Sequence, residues 1–326
     1  MDLDLRLVRY FVAVADELHF GRAAARLFIS QPALSKQIRR LETQLGAALL
    51  VRDSRHVTLT ARGERFLDDA RNLLQIAERM QRTADPGTVR IAHIYELSTS
   101  RIVADTYARA HPRVVLVERQ LDSYRQLAAL LSGLLDVAIL RVTDRMLAEH
   151  PTGWRHRLLR MEPMRLIGRP GGAHAETASL YERPIEVFGD PPGSGQYNAH
   201  GDYLTALEQH SGLAMRWLGN PGTVNHCLAA VRRATDPAYV LEFDSYALRY
   251  ADAGLPVHRP AELQPYYPWS IAWRDETLSQ PVADLIHVAG GTAERRGWLD
   301  PKPLDRTPAW PPPDEPRRQS ADPGGR

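Results

Sequence analysis

A chain of 326 residues is longer than one hydrophobic core usually organises, so two or three lobes are expected, and a 44% hydrophobic content suffices to build them. The formal net charge of +2 conceals an asymmetry, because residues 1–62 carry ten Lys and Arg against six Asp and Glu and leave the remainder acidic. No long uncharged apolar run occurs and the opening MDLDLRLVRY lacks a basic segment followed by an apolar one, so neither membrane spanning nor export is expected, the protein is expected in the cytoplasm, and Cys227, the single cysteine, excludes an internal disulfide.

Along the chain, HFGRAAARLFI reads as a short helix whose Ala23, Ala24 and Ala25 permit close packing, with Phe28 and Ile29 as a tight apolar connection onward. Ser30 then suits an N-cap, because its hydroxyl can accept from an orphan backbone N–H while Pro32 sits in the first turn, where a missing donor does no harm. Leu34, Ile38, Leu41 and Leu45 recur at helical spacing and face a core. Pro32, Ser35, Lys36 and Arg39 fall on the other side. Taken alone such a charge run is a solvated helix face. Preceded by a short helix, it makes a helix-turn-helix, whose second helix can enter the major groove of DNA. Phe11, Ala15, Leu18, Leu27 and Ile38 are expected in the core. LLVRDSRHVTLT holds two β-prone runs around Asp53–His56, the pattern of a small wing with Arg52 and Arg55 near its tip.

The stretch from Leu7 to Ala70, with GRAAARLFISQPALSKQIRRLE at its centre, resembles the DNA-binding region of LysR-type transcriptional regulators, and it covers about the first quarter of the chain. The resemblance implies a bacterial regulator that binds double-stranded DNA as a homodimer or tetramer and responds to a small molecule. It places Gln31, Pro32, Ser35, Lys36 and Arg39 in the groove, with Arg52 and Arg55 as wing contacts. Chemically, Gln31 suits adenine and Lys36 or Arg39 guanine, whereas Ser35 and the wing arginines suit phosphates.

In TARGERFLDDARNLLQIAERMQRTAD, Thr60 is a candidate cap, and Phe66, Ala70, Leu73, Ala77 and Met80 form an a/d seam on one long helix. Packing on its own domain would explain the seam, but the helix leaves a compact module and ends at Asp85–Gly87, so a partner chain is the expected cover. Dimerisation there would set two recognition helices on a two-fold axis, and an operator with inverted half-sites would mirror it.

From Thr88 the pattern becomes βαβαβ: TVRIAHI, a helix from Thr99 to His111, VVLVER, a helix from Ser123 to Ser132, and DVAIL. MRLIG, IEVF, MRWLG, AYVLEF and WSIAW follow as strand candidates, with helices over Tyr203–His210, Thr223–Arg232 and Gln280–Val288. The expected fold is therefore multidomain: an α winged helix-turn-helix over 1–60, a linker helix and hinge over 61–87, an α/β two-lobed domain over 88–298, and a Pro-rich disordered tail over 299–326. Lobe 1 is expected over about 88–160 and 268–298, lobe 2 over about 161–267. LLSGLLDVAIL and WSIAWRDETLSQPVADLI resemble the family's effector-binding domain in pattern, which implies a periplasmic-binding-protein-like cleft with a ligand between the lobes.

Ser98, Thr99 and Ser100 open the helix after the first strand of that domain, where hydroxyls and unpaired N–H groups can hold an anion; simple capping accounts for them equally well. The family places effector contacts there. Thr223 and Asn225 open the corresponding helix of the other lobe, and His226 reads as structural. Glu96, just before the serines, would repel organic acids, so it points away or the effector is neutral or cationic. RRATDPAYVLEF replaces the family's usual glycine-containing turn. There is no zinc-protease helix motif, phosphate loop or dinucleotide fingerprint, so neither enzyme activity nor a metal or cofactor is expected. Cys227 in CLAAV reads as a buried small hydrophobe, and GDPPGSGQY as a loop. Arg317 and Arg318 in the tail could add nonspecific DNA affinity. The expected function is a ligand-controlled DNA-binding regulator; the alternatives are a constitutive repressor or architectural protein, or an enzyme fused to a DNA-binding domain.

Overall fold

The computed structural model describes residues 3–27, 29–52, 57–82, 87–94, 97–172, 174–191, 198–219, 223–300 and 307–312. It divides into two compact units, Met1–Asp85 and Pro86–Arg326.

The first unit contains α1 (Leu5–Glu17), α2 (Phe20–Arg26), α3 (Gln31–Leu45), the antiparallel pair β1 (Leu50–Arg52) and β2 (Val57–Leu59), and α4 (Ala61–Arg82). Local chemistry sets the boundaries. Asp4 caps α1, His19 caps α2 through Nδ1, and the Ser30 hydroxyl accepts from Ala33 N at 3.3 Å to start α3. Gly46 ends α3 in the left-handed region, φ 64°, which glycine adopts without strain. Glu42 Oε1 accepts from Leu49 N and Leu50 N at 3.0 and 3.1 Å, so the end of α3 holds the start of the wing. Leu7, Val8, Phe11, Val14, Ala23, Leu34, Ile38, Leu41 and Leu49 form a fully buried core.

Three expectations are corrected here. Leu18 is not core: it ends α1 with φ 45°, and that left-handed turn leaves its side chain 47% exposed. Ala25 faces solvent, while Ala23 and Ala24 pack inward. The first half of the supposed dimer seam is covered by its own unit. Phe66 meets Phe11 edge-on at 5.2 Å, Ala70 is buried, and Leu73 packs on the same cluster. The spacing that makes a coiled-coil seam also makes the inward face of a helix lying against α1. Ala77 is half-buried and Ile76 is 45% exposed; the side chain of Met80 lies outside the described residues.

The second unit opens with β3 (Thr88–His93), α5 (Ser98–Ala110), β4 (Val115–Gln120), α6 (Ser123–Leu131) and β5 (Val137–Leu140). Next come α7 (Asp144–Glu149), β6 (Trp154–Ile167), β7 (Thr177–Ala178), β8 (Ile185–Val187), α8 (Ala199–Ser211), β9 (Met215–Trp217), α9 (Val224–Arg233) and β10 (Tyr239–Phe243). The unit ends with α10 (Asp244–Asp252), β11 (Val257–Pro260), β12 (Gln264–Arg274), α11 (Gln280–Arg295) and β13 (Ala309–Trp310). The strand order β4-β3-β5-β12-β6-β10-β8-β9 places parallel strands at both ends and the long antiparallel pair β12–β6 between them. β6 is the crossing strand. Its first part, from Trp154 to Pro163, pairs with β12, and its last, from Met164 to Ile167, pairs with β10, so one strand belongs to both lobes. At the crossing Pro268 has no N–H to donate, and Met161 N turns to the Trp298 carbonyl at 2.8 Å.

The disordered tail also needs correction. Ala309–Trp310 pairs in parallel with Gln264–Pro265, Gln264 N donates to Pro308 O at 2.9 Å, and Trp310 is buried against Tyr203 and His210. One tryptophan outweighs the polar composition around it, because burying its ring offsets the ordering of a few residues. Arg317 and Arg318 lie outside the described residues.

Candidate nucleic-acid interface and ligand cavity

The start of α3 presents Gln31, Pro32, Lys36 and Arg39 to solvent with Ser35 half-buried beside them, while Leu34 and Ile38 anchor the opposite side. Several other cations of the unit are spent internally. Arg22 pairs with Glu17 at 3.3 Å, Arg26 with Asp16 at 3.4 Å and Glu17 at 3.6 Å, and Arg71 with Asp16 at 2.7 Å. Among the described residues no acidic partner engages Lys36, Arg39 or Arg40. Unneutralised cations on an exposed helix whose first turn is held by a cap can meet phosphates and base edges without first breaking an ion pair. Arg52 lies in β1 opposite Val57, with its side chain outside the described residues, as is all of Arg55.

The second unit holds a cavity of about 480 Å³ bounded by both lobes. Lobe 1 contributes Ile94 and the start of α6, from Gln120 to Ser123 with Arg125; lobe 2 contributes Phe188–Asp190 and the starts of α8 and α9. Glu242, Phe243, Tyr246, Tyr267 and Trp269 close one wall. The rings of Phe243, Tyr267 and Trp269 stand 4.6–5.6 Å apart, a continuous aromatic surface.

Of the residues expected to touch a ligand, Thr223 lines this cavity; it also caps α9 by accepting from His226 N at 3.3 Å. Asn225 faces solvent instead. Ser98, Thr99 and Ser100 are not among the described lining residues. Thr99 and Ser100 are fully buried, with Thr99 Oγ1 accepting from Arg160 at 2.9 Å and Ser100 Oγ donating to Leu97 O at 2.8 Å. Ser98 Oγ lies 2.6 Å from Ser245 Oγ, and Ser245 N donates to the buried Glu162, which also accepts from Trp269 Nε1 at 2.6 Å. The hydroxyls of Ser98 and Thr99 thus join a polar network that ties α5 to α10 and the crossing strand, while that of Ser100 stays within its own helix start. Glu96 lies outside the described residues, as does most of the Gly-Ser-Gly loop.

Burial perturbs Glu242, His200 and Cys227 in the cavity wall. Glu242 accepts from Phe243 N at 3.0 Å and Tyr250 OH at 3.2 Å, yet burial pushes its carboxyl up to about 7. Burial, helped by nearby Arg141, brings His200 down to about 4 and leaves the imidazole neutral. Burial also raises the Cys227 thiol to about 12, so it is no nucleophile at neutral pH. Sequence reading missed Asp122, Asn198, His200 and Glu242. Asp122 and Asn198 carried a usable signal as polar residues just before helices; Glu242 inside YVLEF carried none.

Among the described residues no His, Cys, Asp and Glu group could hold a metal, and no helix is long and apolar enough to cross a membrane. Residues 5–64 match the family described as bacterial regulatory helix-turn-helix protein, lysR family. The chain is 40% identical over 213 residues to the uncharacterized HTH-type transcriptional regulator YnfL of Escherichia coli strain K12, covering 61% of this chain and 70% of that protein. With the HTH-type transcriptional regulator XapR of the same organism it shares 36% over 195 residues, 57% of this chain and 64% of the other. The full-length LysR-family regulator CbnR, solved in complex with its target DNA, superposes with a TM-score of 0.64 at 24% identity, over 88% of this chain and 99% of that one.

Proposed function

Since the chain belongs to the LysR family of bacterial regulatory helix-turn-helix proteins, and is a DNA-binding transcriptional regulator, we propose that α3 reads its operator and that the two-lobed cavity holds the effector controlling it. The unpaired cations of α3 carry the first half of this reading. Gln31, Pro32, Ser35, Lys36 and Arg39 meet the major groove, and Arg52 and Arg55 of the wing hold phosphate. CbnR, which shares the fold, was solved with its target DNA, and this supports DNA as the partner. The protein works in the cytoplasm as a homo-oligomer on inverted half-sites, binding a small-molecule effector without a metal or other cofactor. The effector is met by the lining residues, Thr223 among them, while Ser98 and Thr99 set the relation of the lobes through Arg160, Ser245 and Glu162.

Genome-wide mapping of bound DNA, followed by anisotropy titration on a recovered site with and without metabolites of the neighbouring genes, tests both halves. The expected result is a small set of discrete inverted repeats whose affinity or footprint shifts with one metabolite. Occupancy spread evenly over the chromosome would overturn the operator reading. A discrete site indifferent to every ligand that stabilises the protein would leave a constitutive binder.

A further inference from the structure

Resting on the assignment of the cavity as effector site, we infer that its ligand is an organic cation, a protonated amine or nitrogen base on a flat apolar body without a free carboxylate.

The charges of the wall point this way. Among the described lining residues stand three carboxyl groups, Asp122, Asp190 and Glu242, and one permanent cation, Arg125, whose Nε lies 3.3 Å from Asp122. Asp190 and Glu242 therefore border the cavity with no cation of the described chain against them. Three helix starts also border it and would favour an anion, but at each of them one backbone N–H is already taken by the helix's own cap. Asp122 accepts from Arg125 N at 2.9 Å, Asn198 from Gly201 N at 2.6 Å and Thr223 from His226 N at 3.3 Å. At α6 the capping group bears a full negative charge. An entering carboxylate would meet Asp190 and Glu242 on the wall, while Arg141 is held behind it by the Ala199 carbonyl and the Tyr267 ring.

His200 adds an acceptor. Its Nδ1 is buried without a partner among the described residues, and the ring stacks at a tilt on Phe243 and Tyr267, 5.1 and 5.6 Å between centroids. A neutral imidazole carries one lone pair, which an N–H donor can use. The electron-rich faces of Phe243, Tyr267 and Trp269 attract a cation as well as a flat body, and 480 Å³ suits one or two rings.

Glu242 supplies a second readout. Cys227 on α9, Tyr250 on α10 and Glu162 on β6 face it, and its cross-strand neighbour Arg165 is turned to Asp244, with Nε 2.7 Å from Oδ1. A ligand cation beside this carboxyl favours the ionised form. Binding therefore expels a proton, and affinity rises with pH through about 7 while the amine stays charged.

Calorimetric titration of the full chain with benzylamine, benzamidine and tryptamine, against benzyl alcohol, benzoate and indole-3-acetate, reads both effects when run in two buffers of different ionisation enthalpy. The expected result is saturable binding of at least one cation, about tenfold or more tighter than its matched carboxylate, with net proton release. Glu242→Gln, with its fold checked by circular dichroism, should abolish the proton release, and Asp190→Asn, at a more accessible position, should weaken the cation without altering that release. Tighter binding of the carboxylates, no saturable binding of any cation, or cation binding without proton release would overturn the inference. Thr223→Phe, which fills the wall, separates the two levels: carboxylate binding that this variant blocks refutes only the charge class, whereas ligand binding that it leaves intact refutes the cavity as the site.

Discussion

Lys36 and Arg39 differ from the other cations of the first unit in what they touch. Arg22, Arg26 and Arg71 are held by Asp16 and Glu17, so alanine at Arg26 should change DNA affinity and its salt dependence little. Arg39→Ala should instead cost about 1–3 kcal/mol on the operator and flatten base preference at one position per half-site. Equal losses for Arg26→Ala and Arg39→Ala across salt concentrations, measured by anisotropy, would refute this division. In the second unit, Glu242 and His200 set opposite pH dependences. Folding raises the Glu242 pKa, so the folded state binds more protons and stability is lost as pH rises from the ordinary carboxylate range to about 7. Folding lowers the His200 pKa, so stability present above the ordinary histidine range is lost as pH falls toward about 4. Across their shared window the two slopes largely cancel. Glu242→Gln should uncover the histidine slope, a gain of roughly 1 kcal/mol per pH unit between about pH 4.5 and 6.5, read by urea unfolding. A flat profile in that variant would show that His200 is not buried as a neutral ring.

At the scale of elements, α4 carries two duties in sequence. Its first turns are spent on the core through Phe66, Ala70 and Leu73, so a charge there would damage the unit itself. Ile76, 45% exposed, is the better probe of oligomerisation. Ile76→Asp should leave helix content unchanged, lower the mass found by light scattering, and weaken binding to a two-half-site operator more than to a single half-site. Wild-type mass in that variant would place the interface elsewhere. The same helix marks how far sequence reading reaches. Periodicity found α4 and its apolar face but not which body covers it, since either cover needs the same residues. Helices announced at Ser30 and Thr223 emerged from their residue chemistry, whereas α8 starts before the expected Tyr203 because Asn198 caps it. α10 went unseen because it follows β10 directly, with Phe243 as its cap and no side-chain hydrogen bond to mark the start. β6 began earlier than MRLIG suggested: Arg155 and Arg157 alternate outward along WRHRL and mask the inward residues.

Over the whole molecule, the cavity was the least visible feature in the sequence, because its wall draws on segments from Ile94 to Trp269 that share no local pattern. Its aromatic residues read as ordinary strand core until the strands are paired. The C-terminal strand was hidden for the converse reason, one aromatic residue in a tail rich in proline and charge. Removing residues 301–326 should lower the unfolding midpoint of the second unit, with about 1.5–3 kcal/mol lost from the burial of Trp310, while operator affinity without ligand stays near that of the intact chain. An unchanged midpoint in calorimetry would show that Trp310 packing contributes nothing. The placement of β12 and β13 late in the chain also fixes an order of birth. The first unit finds all its core partners before Asp85, but β5 and β6 cannot join until β12 leaves the ribosome and slips between them, and Tyr203 waits for Trp310. A nascent chain thus owns a finished reading head while its sensor is still unmade. A chain cut short between Arg101 and Pro260 would keep the whole core of the first unit and lack the strand that joins β5 to β6.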